Sequence, residues 1–136
     1  MQLSAAMAAM AEPGWIMCCM CAAWCGTCRD YQIKFDELAA MHPTLQFVWI
    51  DIEDQADVVG DLDVDDFPTV LIQRGDLVAF FGTVQPDLRQ ADRLLLAQME
   101  QDEPQLQATA RQGDTHRRWQ RECNLLHLIN AARPKD

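Results

Sequence analysis

An unbroken apolar run, Trp15-Ile16-Met17-Cys18-Cys19-Met20-Cys21-Ala22, leads through Ala23 into Trp24-Cys25-Gly26-Thr27-Cys28. Eight residues suit a strand, and an apolar run without polar alternation suits a strand covered on both faces. Behind it, Cys28, Tyr31, Phe35 and Leu38 recur at spacings of three and four. That is one face of an amphipathic helix, predicted to end near Met41-His42-Pro43. A pair of cysteines two residues apart therefore stands where a buried strand gives way to a helix. By itself such a pair is ambiguous between metal and redox chemistry.

The rest of the chain continues the alternation of strands and helices. Leu45 to Asp51 is predicted as a second strand, 54–62 as a short helix, and Thr69 to Gln73 as a third strand. Arg74-Gly75-Asp76 is a turn, and Leu77 to Phe81 pairs back as a hairpin. Pro86 opens another helix carrying Leu88, Ala91, Leu95 and Met99. Residues 1–12 are predicted helical. Pro104 marks a break, followed by one or two helices with an apolar face of Trp119, Cys123, Leu126 and Asn130, flanked by Leu125, Ile129 and Ala132.

The order β-α-β-α-β-β-α, with Trp24-Cys25-Gly26-Thr27-Cys28, Phe67-Pro68-Thr69 and Gly82, resembles the thioredoxin family over roughly residues 15–100. The resemblance implies an α/β thioredoxin fold, a central mixed sheet flanked by helices, with a C-terminal helical extension. Residues 1–103 would form the thioredoxin-like domain. Residues 104–136 would be an extension packed on it or on a partner.

In a strand–CxxC–helix unit the first cysteine lies at the helix N-terminus, where unpaired N–H groups and the helix dipole favour a thiolate. Cys25 is thus the candidate nucleophile, forming a mixed disulfide with a substrate. Cys28, one turn along and more buried, would resolve it by attacking Cys25. By the resemblance, Phe67-Pro68 is a cis-proline site whose backbone forms the substrate platform. Trp24 supplies flat apolar surface, Gly26 and Thr27 lie between the cysteines, and Gly82 leaves room for substrate. The activity implied is protein thiol–disulfide exchange, reducing disulfides in cell redox homeostasis. A reductase or small thiol would regenerate the pair, and no bound cofactor is required.

This sequence departs from the family pattern at three places. Cys19 stands where the family usually has a buried Asp serving proton transfer, and Trp49 near its accompanying Lys. Removing both members of a buried pair is coherent, since one alone would be stranded. Ile33 replaces the family proline five residues after the second cysteine. The missing Asp and the extension support an alternative: a thioredoxin-like redox-sensing or binding scaffold with weak catalysis.

Other readings of the same residues are weaker. Cys18, Cys21, Cys25 and Cys28 have the spacing of four metal ligands. In a strand, however, Cys18 and Cys21 face opposite sides, so no metal site is expected, and Cys18, Cys19 and Cys21 are read as packing residues. Five of six cysteines lie within eleven residues, unlike a secreted disulfide framework. Eight acids fall between Asp51 and Asp66, with no base. Asp61-x-Asp63-x-Asp65 lacks the glycine and glutamate of a calcium loop, so a solvated acidic edge is expected.

The net charge of −10 argues against nucleic acid or anionic membrane as a partner. Residues 1–103 hold 5 basic and 18 acidic residues, and residues 104–136 hold 6 and 3. The basic tail, with Arg117, Arg118 and Arg121, is a candidate to meet the acidic edge. No run approaches the ~18 apolar residues of a membrane span. The first basic residue is Arg29, so no positively charged leader is expected and a cytoplasmic location is.

Overall fold

The computed structural model describes residues 14–22, 25–59, 64 and 67–132. Its strands are β1 (Trp15–Cys21), β2 (Gln46–Asp51), β3 (Thr69–Arg74) and β4 (Leu77–Thr83). Its helices are α1 (Gly26–Met41), α2 (Ala56–Val59), α3 (Leu88–Met99), α4 (Glu103–Ala110), α5 (Gly113–Glu122) and α6 (Leu125–Ala132). The predicted helix over residues 1–12 lies outside the described residues. So do Trp24 and half of the acids in the acidic segment, Asp61, Asp63, Asp65 and Asp66.

The strands form one mixed sheet in the order β2-β1-β3-β4. β1 runs parallel to β2 and antiparallel to β3, which pairs antiparallel with β4. The apolar run is thus an inner strand, buried from Ile16 to Cys21. Parallel pairing of β1 and β2 needs a crossover, which α1 supplies. The β3–β4 turn is tighter than predicted. Gly75 and Asp76 make it, and Gly75 adopts a φ of 55° that other L-residues rarely accept.

The pleat divides β1 between two cores. Met17, Cys19 and Cys21 face α1 and α3, packing with Tyr31, Phe35, Leu38, Ala91 and Leu95. Ile16, Cys18 and Met20 face the other side, with Val58, Val59, Cys123, Leu125 and Ile129. Cys18 and Cys21 therefore lie on opposite faces, as period-two alternation requires. Helix α1 runs unbroken for 16 residues, with Ile33 65% exposed on its outer side.

The tail forms three helices where one or two were predicted. It packs on the sheet rather than standing apart: α4 and α5 lie along β4, and α6 covers the second face beside α2. The Gln120 side chain accepts from Val78 N at 2.9 Å and donates to Val78 O at 2.8 Å. It thereby occupies the open ladder of an edge strand. Asn124 caps α6, its Oδ1 accepting from Leu126 N at 3.0 Å. Two of the three arginines in the basic patch pair within their own helix, Arg117 with Asp114 and Arg118 with Glu122. Asn130 and Ala132, expected on the apolar face, lie beyond the described side chains.

Candidate functional site

The two predicted redox cysteines stand at the start of α1. Cys25 is its N-cap, with extended backbone (φ −84°, ψ 120°). Its N–H donates to Ala22 O at 3.0 Å, and its carbonyl accepts from Arg29 N at 3.1 Å. The first turn carries no acidic side chain. Cys25 is half-buried, Gly26 and Thr27 are exposed, and Cys28 points inward at 1% exposure. Cys28 falls on the buried face because it shares the helical stripe of Tyr31, Phe35 and Leu38.

The bonding of these sulfurs corrects one expectation. Cys28 is disulfide-bonded to Cys21, not to Cys25, and Cys25 is a free thiol. Cys21 was expected only to pack. It ends β1 on the face turned toward α1, and its Cα lies 5.7 Å from that of Cys28, within disulfide range. Two sequence signals taken together point to this contact. Alternation along β1 puts Cys21 on the α1 side, and helical periodicity puts Cys28 on the sheet side.

Phe67 and Pro68 lead into β3 beside this end of β1, and Gly82 lies on the adjoining β4. The Phe67–Pro68 peptide bond is cis. Pro68 is buried, and its carbonyl accepts from Val84 N at 3.0 Å. Phe67 and Cys25 are both half-buried members of the core cluster that holds Cys21 and Cys28. Gly82 lies opposite Val70 on β4. A Cβ there would stand 3.3 Å from Phe80 Cζ, so the space beside Gly82 holds a ring of this chain.

Two apolar substitutions define the inner wall. Cys19 pairs in register with Trp49 on β2 and Val70 on β3. Burial pushes the Cys19 thiol well above its usual range, and neighbouring Cys18 pushes it further. Cys19 thus keeps its proton at neutral pH and is no proton acceptor. Trp49 packs its ring 5.7 Å from that of Phe35. The Tyr31 hydroxyl is buried and finds no hydrogen-bond partner among the described residues. A cleft of about 390 Å³ opens between Cys28, Arg29, Trp49, Asp51 and Asp54.

The family model described as Thioredoxin matches residues 8–91. The chain belongs to the thioredoxin family. Among thioredoxin relatives, Thioredoxin-1 of Caenorhabditis elegans is 34% identical over 71 residues, 51% of this chain and 62% of that protein. A thioredoxin H-type of Picea mariana is 33% identical over 91 residues, 65% of this chain and 73% of that protein. The chain thus spans less than two thirds of the nematode thioredoxin. The fold also matches the structure of Fasciola hepatica thioredoxin, with a TM-score of 0.62 at 18% identity, covering 71% of this chain and 90% of that one. Helices α4 to α6 follow the part matched by the thioredoxin model.

Proposed function

We propose that this protein is a thiol–disulfide oxidoreductase acting on protein disulfides. One observation carries the reading. Cys25, a half-buried free thiol, stands at the N-cap position of a helix whose next buried-face residue is Cys28, and it packs on the same core cluster as Phe67 of the cis Phe67–Pro68 bond. Cys25 attacks a substrate disulfide, leaving a mixed disulfide and a departing substrate thiolate. Cys28, once reduced, attacks the Cys25 sulfur and releases the second substrate thiol. Phe67, Pro68, Gly26 and Thr27 form the surface that the substrate chain meets. A reductase or small thiol returns the electrons, and no bound cofactor takes part.

The setting that fits is a reducing one, such as the cytoplasm, in the service of cell redox homeostasis. Cys18, Cys19 and Cys123 are all free and buried, which agrees with it. Protein disulfides are the partners proposed, with neither nucleic acid nor membrane, in keeping with a net charge of −10.

Insulin-disulfide reduction tests this directly. The wild-type chain is expected to turn over, and Cys25→Ser to be inactive. A wild-type protein without turnover would overturn the proposal and leave a second reading, a redox-sensing scaffold. The Cys21–Cys28 bond favours that reading, because it holds the sulfur that resolves mixed disulfides.

A further inference from the structure

We infer that Cys21 is a third redox-active residue, a second resolving thiol that takes Cys28 away from Cys25. The inference rests on the proposed exchange at Cys25 and extends it. Three sulfurs meet at one junction. Cys25 caps α1, Cys28 lies one turn into it, and Cys21 ends the strand that packs beneath it. Cys28 is within reach of both others, since residues three apart on a helix are neighbours and its Cα is 5.7 Å from that of Cys21. The bond present is the one to Cys21.

The chemistry balances without a further oxidant. Exchange with a substrate leaves a Cys25–Cys28 disulfide and two substrate thiols. The Cys21 sulfur then attacks Cys28 Sγ. A Cys21–Cys28 bond forms, the Cys25–Cys28 bond breaks, and the electron pair leaves on Cys25 as thiolate. The proton released by Cys21 passes to that thiolate or to solvent. The two electrons given to substrate thus come finally from Cys21 and Cys28.

Burial gives the rearrangement its consequence. Cys21 and Cys28 are each 1% exposed, whereas Cys25 is half-buried. Oxidising equivalents end in an interior bridge, and the most accessible of the three sulfurs is again a free thiol. The oxidised protein can therefore form a second mixed disulfide at Cys25, with Cys28 already engaged. External thiols reduce the interior bridge by the reverse route, through Cys25.

Chymotryptic mapping tests this on the wild-type protein. Reduced protein is treated with oxidised glutathione, quenched in acid, alkylated under denaturing conditions and cleaved after Trp24. A Cys21–Cys28 bridge links two peptides and leaves Cys25 alkylated or glutathionylated. A Cys25–Cys28 bridge lies within one peptide. The linked pair is expected as the main product, and Cys21→Ser should give only the single-peptide loop, with Cys25 no longer alkylated. A wild-type map dominated by the single-peptide loop, or without a bridge, would overturn the inference. Insulin turnover is read in parallel. Turnover without the linked peptides removes the role of Cys21 and leaves the oxidoreductase, whereas linked peptides without turnover do the reverse.

Discussion

Gln73 Nε2 donates to Asn124 Oδ1 at 2.9 Å, joining β3 to the start of α6 in the interior of the protein. Neither residue has more than 1% of its surface exposed. The same Nε2 donates to Gly75 O at 2.8 Å, and Gln73 Oε1 accepts from Leu125 N at 2.9 Å. Asn124 Nδ2 donates to Asp76 O and Oδ1 at 3.0 and 2.8 Å. A buried polar pair with its donors and acceptors all engaged fixes the tail in one register on the sheet.

Gln73→Leu should therefore cost about 2–4 kcal/mol, because Leu125 N and Gly75 O lose their buried partner. Urea unfolding would show this as a lower midpoint. A loss under about 0.5 kcal/mol, the range of an ordinary surface change, would mean that water replaces the amide.

Cutting the chain after Glu103 should remove more than local stability. Cys123, Leu125 and Ile129 cover Ile16, Cys18, Met20 and Leu71. At about 1.5–3 kcal/mol per large buried side chain, their loss approaches the 5–15 kcal/mol that holds a domain together. The shortened chain is expected to be insoluble or to bind a hydrophobic dye. A soluble product with a cooperative melt would show that the sheet tolerates an open face.

Cys19→Asp should place a proton acceptor on the inner wall near Cys28. Resolution of the mixed disulfide at pH 7 is expected to accelerate by about 10–100-fold, within or below the ~100–10,000-fold that a positioned base supplies. The buried carboxyl should cost about 2–5 kcal/mol. Stopped-flow peptide-disulfide kinetics across pH would read the first effect, and a variant no faster than wild type would count against it.

Alkaline pH should destabilise the protein through its buried thiols. Burial raises Cys123 from 9.0 to about 11, with Arg118 pulling it partly back and Glu122 adding to the rise. Cys18 is pushed further still by burial. Between pH 9 and 11 the unfolded chain has released the Cys123 proton and the folded chain still holds it. Stability is thus intact below pH 9 and falls as pH rises, by on the order of 2 kcal/mol for this residue. Cys123→Ala should start lower at pH 8, because of the cavity, and decline less steeply to pH 11.

The strands, α1, α3 and the turn at Gly75 were legible in the sequence because each buries a face with its own period. Trp15–Cys21 has no polar alternation, and the structure makes it an inner strand. What could not be read was where the tail helices meet the sheet. Nothing local in residues 104–136 says that α6 covers β1, because an apolar stripe gives a face without its partner. The Gln73–Asn124 contact likewise spans fifty-one residues and has no periodicity. At the site, the positions of Cys25 and Cys28 were legible from spacing. Cys21 was hidden because a cysteine in an apolar strand looks like any other small core residue, until the helix above it is known.

The position of α6 has a consequence for synthesis of the chain. Half of the central strand's surface waits for residues 123–129, more than a hundred residues behind it. While the ribosome is still making the tail, Ile16, Cys18 and Met20 have α2 near them but not their main cover. A nascent chain of this protein therefore carries an open apolar sheet face from the pairing of its strands until residues 123–129 emerge, a window in which a chaperone can bind it.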